Sequence, residues 1–356
     1  MNIETLVIRV PAHMAERAIR ALRQLQLLDD RFEFGRSDQS LLIPIIRELS
    51  SNEFSPVAKE VGSIKVERAI LAELTRRPRD LREVLENQLP KPMISKLPRS
   101  FDIIGDIAIL ELPHELDQFT HIIGRGVLRL NPHLRLVLRK TSSVSGTYRT
   151  RGFDVMAGTG GTETVHREFS NLLRLNVASV YFNPRLSRER MRVAGQVDEG
   201  ERVIDLFAGV GPYSILIAKR QPDSMIYSID INPEAIRYLR ENVFQNRVAD
   251  RVVPILGDAR TVVARDLQNV ASRVVMNLPA ESINFMDTAL RALQDQGGII
   301  HYYAFASRDD TIESITELVR EEVERHGKRV RSLRFASVLK EVAPNRIQIA
   351  LDLFVQ

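Results

Sequence analysis

The sequence feature that most constrains the fold is a glycine-rich corner within VIDLFAGVGPYSILIAKR, residues 203–220. A hydrophobic run leads into Gly209 and Gly211, after which apolar residues recur at helical spacing. We therefore predict a strand, a tight turn and a helix, with a small molecule bound against the turn. Because tight corners select glycine on steric grounds as well, a purely structural turn is the alternative.

The same alternation of strands and helices continues after this corner. The strand candidates are RVIDLFA, MIYSIDI, RVVPILGD, RVVMNLP and GGIIHYYAFA. Such alternation is typical of an α/β fold with a mostly parallel, doubly wound sheet. Two further β runs, KRVRSLRFASVLKEV and RIQIALDLFV, predict a final antiparallel pair of the kind that Rossmann-like methyltransferases carry. We assign residues 177–356 to this Rossmann-like domain.

Two smaller domains are predicted to precede it. Residues 1–75 read as strand, helix and extended segments, which is a small α+β unit. The Pro, Lys and Arg density of residues 76–99 suggests a linker. Residues 100–176 contain short alternating runs, GVLRLNPHLRLVLRK among them, and are predicted to form a β-rich domain.

Composition narrows the chemistry. The 356 residues include no cysteine, which excludes disulfides, thiolate metal sites and a cysteine nucleophile. The net charge of +4 permits a polyanionic partner without requiring one. The chain shows neither an apolar run long enough for a membrane span nor a secretory signal, so we expect a cytoplasmic protein.

Three acids follow successive predicted strands and bear on the ligand. Asp205 precedes the glycine turn, where a pyrophosphate would be repelled but a cation would be stabilised. Asp230 is placed to accept from ribose hydroxyls, and Asp258 from an adenine amino group. Ser214 stands where the dinucleotide fingerprint has its third glycine. Singly each acid reads as a helix cap or turn residue; together they favour S-adenosylmethionine, a phosphate-free sulfonium compound.

The fourth predicted strand ends in Asn277-Leu-Pro-Ala280. An Asn-x-Pro turn at the carboxyl edge of a sheet presents polar groups to a substrate, although an ordinary Asx turn is the alternative. Ala280 stands where enzymes that methylate the adenine amino group usually have an aromatic residue, and carbon-5 pyrimidine methylation needs a cysteine. The adenine reading is weakened by Ala280, and the second class is excluded. A ring nitrogen of guanine is an attractive target, since its methylation requires a base for the N1 proton and a cation or amide near O6.

Basic residues precede the Rossmann-like domain. Residues 121–151 carry no acid and seven cations, which are Arg125, Arg129, Arg135, Arg139, Lys140, Arg149 and Arg151. This favours a phosphate-binding face over a solvated β surface. Glu189 is flanked by Arg185, Arg188, Arg190 and Arg192. It is either a candidate base in a segment that faces nucleic acid or a helical ion-pair partner.

These motifs together resemble the archaeal and eukaryotic-type tRNA (guanine-N1) methyltransferases that act at position 37, the Trm5-type family. The resemblance runs from about residue 100 onward, through GTYRTRGFDVMAG, VYFNPRLSRER, VIDLFAGVGPYSI, SIDINPEAI, GDAR and NLP. The first seventy or so residues are similar to the archaeal amino-terminal domain in size and pattern. One departure is HREFSN, where the family more often reads His-Arg-Glu-Asn-Gly.

The resemblance implies roles for individual residues. Glu189 would be the general base, Arg149 would stabilise charge on O6, Asn277 would orient the guanine and Pro279 would shape the turn. It also implies a pocket for S-adenosylmethionine lined by Tyr181, Arg185, Asp205, Phe207, Gly209, Gly211, Asp230, Asp258 and Asn277. The implied partner is tRNA, held at its anticodon loop and outer corner by a monomeric protein.

Three alternatives stay open. Some archaeal members of the family methylate a tricyclic wyosine precursor at the same tRNA position, and the small Ala280 leaves room for it. A nicotinamide-dependent oxidoreductase could share the fold, against which stand Asp205 and the missing third glycine. An RNA-binding protein could use a Rossmann-like domain as a non-catalytic scaffold.

Overall fold

The computed structural model describes residues 2–62, 64–73 and 78–356. The chain forms two compact units, Met1–Arg79 and Asp80–Gln356. In the described part of the chain, none of the helices combines the length and the apolarity needed to cross a membrane.

The first unit is α+β, as predicted. A four-stranded antiparallel sheet has the order β2-β3-β1-β4. Its elements are β1 (Asn2–Pro11), α1 (Ala15–Gln24), β2 (Gly35–Ser37), β3 (Ser40–Pro44), α2 (Ser51–Val61) and β4 (Lys65–Ala72). The core between helices and sheet contains Ile8, Leu22, Ile43 and Val57, all of which are fully buried.

The second unit begins with a four-stranded sheet of order β5-β6-β7-β8, in which only the β6–β7 pairing is parallel. Its elements are α3 (Leu81–Leu85), α4 (Lys91–Lys96), β5 (Asp102–Ile104), β6 (Ile107–Leu110), α5 (Thr120–Leu130), β7 (Leu136–Lys140) and β8 (Phe153–Gly158). A hairpin of β9 (Glu163–Glu168) and β10 (Asn171–Asn176) follows.

Two predictions for this region are wrong. The predicted linker over residues 76–99 lies partly outside the described residues, but Leu81, Leu85 and Leu97 are buried in the same core as Ile123 and Val137. Residues 81–97 therefore belong to the second unit rather than connecting two domains. The β run predicted to start at residue 126 begins instead with the last turn of α5, and its strand starts at 136.

The rest of the second unit is the predicted α/β domain. A seven-stranded sheet has the order β13-β12-β11-β14-β15-β17-β16, parallel from β13 to β15 and antiparallel for the last two strands. Its elements are α6 (Ser187–Ala194), β11 (Arg202–Asp205), α7 (Pro212–Arg220), β12 (Met225–Asp230), α8 (Pro233–Gln245), β13 (Val252–Leu256), α9 (Ala259–Asp266), β14 (Arg273–Met276), α10 (Met286–Ala292), β15 (Gly298–Ser307), α11 (Ile312–Arg325), β16 (Val330–Ala343) and β17 (Arg346–Val355).

The strand order reverses between β11 and β14. In open α/β sheets, the crevice outside the carboxyl ends of the strands at this reversal is where ligands bind. The glycine turn follows β11, and the Asn-Leu-Pro turn follows β14. The predicted doubly wound sheet with a final antiparallel pair is thus confirmed, and it brings the two turns to the same crevice.

Candidate active site

The glycine turn joins β11 to α7. Gly209 and Gly211 have φ of 56° and 88°, in the left-handed region that favours glycine. Gly211 is the N-cap of α7, and Pro212 occupies the first turn, where its missing N–H costs nothing. A Cβ on Gly211 would lie 2.2 Å from Leu239 Cδ1, whereas a Cβ on Gly209 would meet nothing closer than 3.8 Å. Gly211 is therefore required by packing, and Gly209 leaves space beside the turn.

Asp205 is a buried acid at the end of β11, with 1% of its surface exposed. Its Oδ2 accepts a hydrogen bond from Ser214 Oγ at 3.1 Å, so the residue in place of a third glycine serves the acid. Its Oδ1 has no hydrogen-bond partner among the described residues. Burial raises the pKa of Asp205 to about 7. A buried carboxylate with one vacant oxygen is suited to an ammonium or another cationic donor.

Asp230 holds the turn from the neighbouring strand β12. Its Oδ2 accepts from Gly209 N at 2.7 Å, and its Oδ1 accepts from Asn232 N at 2.8 Å. Burial raises the pKa of Asp230, and the backbone N–H groups of Asn232, Gly209 and Ile231 oppose that effect. Because each carboxylate oxygen offers two lone pairs, both oxygens can still accept from a diol.

Asp258 follows β13 and caps a helix, which was the alternative to its predicted role in binding adenine. It is the N-cap of α9 and accepts from Arg260 N at 2.8 Å, with Arg260 Nη1 also 3.8 Å from its Oδ2. Since β13, β12 and β11 are neighbours in the sheet, Asp205, Asp230 and Asp258 follow three adjacent parallel strands. The structure thus places the three predicted acids along one edge.

The Asn277–Ala280 turn is held rigidly after β14. Ser282 Oγ donates to the carbonyl oxygens of Met276 and Leu278, both at 2.9 Å, and Phe305 N donates to the Pro279 carbonyl at 3.0 Å. Asn277 Oδ1 is buried and has no hydrogen-bond partner in the part of the chain described. A buried amide oxygen without a partner on this turn is a candidate acceptor for a ligand, which must open the contacts that cover it.

Arg149 lies beside this turn, although 128 residues of sequence separate it from Asn277. Its Nη1 is 3.5 Å from Glu281 Oε1, two residues after Pro279. The backbone of Arg149 has φ of 56° in a turn where its N donates to Gly146 O at 3.1 Å. The fold therefore brings the predicted O6-stabilising cation to the Asn-Leu-Pro turn.

Glu189 on α6 is buried, with 5% of its surface exposed. Arg192 donates to it through Nε at 2.8 Å and Nη2 at 2.6 Å, and the Tyr303 hydroxyl donates to Oε1 at 2.7 Å. The helical ion pair foreseen as the structural alternative is thus present. Glu189 and Arg149 each have an intramolecular counter-ion, so a substrate must replace or rearrange both contacts.

Three residues predicted to line the cofactor pocket lie around the glycine turn or next to α6. Tyr181 is 44% exposed, and its carbonyl oxygen is the atom nearest to the open side of Gly209. The Phe207 ring packs edge-on against Phe285, with centroids 4.9 Å apart. Arg185 Nε donates to Asp102 Oδ1 at 2.6 Å.

The predicted basic face is smaller than its sequence suggests. Arg135 pairs with Asp106 at 2.9 Å, Arg139 with Asp117 at 2.6 Å and Lys140 with Glu111 at 3.6 Å, and Arg149 pairs with Glu281 as described above. The absence of acids within residues 121–151 is therefore offset by acids from other segments. Within the described residues, no ion pair involves Arg125, Arg129 or Arg151.

Sequence reasoning missed the neighbours of these groups. Tyr303, Glu281 and Asp352 carry no motif signal, and Tyr303 is 114 residues from Glu189. The only available signal was a polar residue within an apolar strand run, as Asp352 is in RIQIALDLFV.

Three family models match the chain. The TRM5/TYW2 methyltransferase domain matches residues 164–331, the TYW2 N-terminal domain residues 81–162, and the tRNA methyltransferase 5 N-terminal domain residues 8–53. A curated relative, tRNA (guanine(37)-N(1))-methyltransferase Trm5b of Pyrococcus abyssi, is 40% identical, with 98% of each chain covered. The chain belongs to the Trm5-type tRNA methyltransferase family. The predicted family is confirmed.

Other relatives show the range of this family. A tRNA(Phe) (4-demethylwyosine(37)-C(7)) aminocarboxypropyltransferase of Methanocaldococcus jannaschii is 30% identical, covering 70% of this chain and 95% of its own. The solved complex of aTrm5 and tRNALeu has a TM-score of 0.79 at 30% identity, covering 98% and 99% of the two chains. M. jannaschii TYW2 in complex with AdoMet has a TM-score of 0.56 at 27% identity, covering 72% and 99%.

Proposed function

We propose that this protein transfers the methyl group of S-adenosylmethionine to N1 of guanine 37 in tRNA. The observation that carries the proposal is the pair of vacant buried acceptors, Asp205 Oδ1 and Asn277 Oδ1, which follow the two strands that flank the sheet's reversal. Membership of the Trm5-type family supplies the substrate class.

The residues present fit S-adenosylmethionine. Asp205 offers an unpartnered carboxylate oxygen to a cationic group, and Asp230 has lone pairs left for ribose hydroxyls. Gly209 leaves space beside the turn, and Tyr181 and Phe207 border it. When bound, the sulfonium compound supplies an electrophilic methyl group and leaves as a neutral thioether.

The chain's own residues prepare the guanine. Glu189 accepts the proton from N1 as the N1–methyl bond forms and the methyl–sulfur bond breaks. Arg149 exchanges Glu281 for the O6 oxygen, on which negative charge develops. Asn277 Oδ1 accepts from a guanine N–H, and Pro279 keeps the turn rigid through its bonded carbonyl.

The partner is tRNA, which we propose is held by both units, with the anticodon loop on Asp80–Gln356 and the outer corner on Met1–Arg79. Arg125, Arg129 and Arg151 are proposed phosphate contacts because none of them forms an ion pair with another described residue. We further propose that the protein acts as a monomer in the cytoplasm.

A second candidate substrate is a tricyclic wyosine precursor at position 37. The observation that favours it is the exposure of Ala280, which leaves the far side of the Asn-Leu-Pro turn uncovered. The aminocarboxypropyltransferase relative acts on 4-demethylwyosine at position 37, to which it transfers an aminocarboxypropyl group instead of a methyl group.

Two differently labelled cofactors distinguish these reactions. Purified protein is incubated with tRNA transcripts that carry G37 or A37, and with S-adenosylmethionine labelled at the methyl carbon or at the carboxyl carbon. We expect methyl label alone, and only in the G37 transcript. Carboxyl label in tRNA would indicate aminocarboxypropyl transfer, and a G37 transcript without methyl label would refute the proposal. Transfer of methyl label to tRNA that carries the demethylated tricyclic base would add the second substrate.

A further inference from the structure

Glu189 is the end of a buried hydrogen-bonded chain that lies on one face of the sheet. The Tyr303 hydroxyl on β15 donates to Glu189 Oε1 at 2.7 Å, and the Tyr213 hydroxyl on α7 donates to that of Tyr303 at 3.2 Å. Burial raises the pKa of Tyr303 well above its usual value, so its hydroxyl keeps the proton that it donates. One oxygen of the carboxylate is thereby fixed from outside its own helix.

Arg192 is shared between two carboxylates. It donates to Glu189 at 2.6 and 2.8 Å, and through Nη2 to Asp352 Oδ1 on β17 at 3.0 Å, with Nη1 also bonded to Asp352. Asp352 is 1% exposed. A partly buried guanidinium that lost its only carboxylate would be destabilised, but Arg192 keeps Asp352 if Glu189 turns away.

The far side of Asp352 is fixed by a neutral histidine. His301 Nδ1 lies 2.7 Å from Asp352 Oδ1, and His301 Nε2 lies 2.9 Å from Arg273 Nη1. Because arginine can only donate, Nε2 must accept and Nδ1 must carry the proton that bonds to Asp352. Burial lowers the pKa of His301, and Arg273 is neutralised by Glu201 at 2.7 Å. The group of Glu189, Arg192 and Asp352 therefore holds one more carboxylate than cation.

We propose that Tyr303 and Asp352 are positioning residues for Glu189. Tyr303 orients the carboxylate, and Asp352 makes it exchangeable by remaining the counter-ion of Arg192 when Glu189 turns to the guanine. This inference rests on the proposed function, since it concerns how the proposed base is released. It assigns roles to two side chains that touch neither the glycine turn nor the Asn-Leu-Pro turn in the recorded contacts of the described residues.

The two residues act on Glu189 in different ways. Tyr303 holds Oε1 of the carboxylate in place by a hydrogen bond. Asp352 competes with Glu189 for Arg192, so the base is less tightly held by its counter-ion. The charged or titratable groups that face this carboxylate are Arg192 on α6, Tyr303 on β15, Tyr213 on α7 behind Tyr303, and Asp352 on β17 across Arg192. Arg190, next to Glu189 in sequence, is bonded to Glu168 instead.

The test is the single-turnover rate of methyl transfer to tRNA for the full-length protein. In Tyr303→Phe, we expect the rate to fall about tenfold, because a hydrogen bond that orients the charged base is lost. In Asp352→Asn, we also expect the rate to fall about tenfold, because Arg192 then holds Glu189 alone. The Kd values for tRNA and S-adenosylmethionine should stay unchanged in both variants.

Tyr302→Phe is the matched control. Tyr302 is also buried, but it points to the opposite face of β15 and packs in the other core cluster, so the rate of Tyr302→Phe should match that of the wild type. A wild-type rate in Tyr303→Phe or in Asp352→Asn, or a lower rate that comes with a weaker Kd for tRNA or S-adenosylmethionine, would overturn the inference. If Asp352→Asn fails to fold, the rate of Tyr303→Phe compared with that of Tyr302→Phe decides. Full activity in Glu189→Gln would instead refute the proposed base itself.

Discussion

Replacing Asp205 by Asn should stabilise the protein while weakening its cofactor binding. Burial raises the pKa of the folded-state carboxyl from 3.8 to about 7. An acid whose pKa is raised by folding stabilises the protein at low pH. This contribution is lost as the pH rises to the folded-state pKa, so the wild type should lose stability between pH 4 and pH 7. Asn keeps the side-chain shape and the acceptor for Ser214 Oγ but cannot ionise.

The magnitude follows from the shift. Each pH unit between the unfolded and folded pKa values costs the wild type about 1.4 kcal/mol. The stability difference, Asp205→Asn minus wild type, should therefore grow by about 2 to 3 kcal/mol from pH 5 to pH 7 and then level off. Because the vacant Oδ1 is assigned to a cation, the variant should also bind S-adenosylmethionine about 10- to 100-fold more weakly.

Urea unfolding of the full chain, followed by circular dichroism between pH 5 and pH 8, measures the first effect, and calorimetric titration measures the second. Asp250→Asn is the control, since Arg251 lowers the pKa of this exposed carboxyl and its effect should be flat over that range. A stability difference for Asp205→Asn that does not depend on pH would refute the reasoning about burial. Unchanged affinity would refute the cation assignment.

Three further predictions concern other regions. Phe169 and Ser170 form the two-residue turn between β9 and β10, with φ of 45° and 67°. Because Asn and Gly adopt this backbone conformation at lower cost, Phe169→Asn combined with Ser170→Gly should raise the unfolding free energy by about 1 to 2 kcal/mol in the same urea assay. Arg149→Ala should slow single-turnover methyl transfer about 100- to 1000-fold, with partial recovery in Arg149→Lys; a rate within threefold of the wild type would exclude Arg149 from the reaction. Binding of tRNA should weaken with salt, and joint replacement of Arg125, Arg129 and Arg151 by Ala should reduce the slope of log affinity against log salt by about 2 to 3; an unchanged slope would show that these cations do not contact phosphate.

Much of the fold could be predicted from the sequence because the signals for its strands and helices are local. Strand runs that end in Asp205 or Asp230, with helical spacing between them, predicted both the parallel sheet and the crevice where the acids meet. The Asn-Leu-Pro turn could be placed at the same crevice because parallel strands share a carboxyl edge. The linker prediction over residues 76–99 was wrong because exposed residues such as Pro90 and Lys91 stand between buried leucines such as Leu85.

Long-range pairing could not be predicted. The counter-ion of Arg135 comes from Asp106, outside the run of basic residues, so a local count of charges overestimated the free positive charge. The contact between Glu189 and Tyr303 depends on α6 packing over the sheet, and no spacing in the sequence encodes it.

The most direct test of the central claim is to locate the modified nucleotide. Bulk tRNA lacking the modification is treated with the wild-type protein or with Glu189→Gln in the presence of S-adenosylmethionine, digested to oligonucleotides and examined by mass spectrometry. We predict that the wild type adds a single methyl group to the guanosine at position 37, at N1, and that Glu189→Gln adds none while binding tRNA as tightly. A methyl group at another nucleotide or another ring atom, or full methylation by Glu189→Gln, would contradict the account.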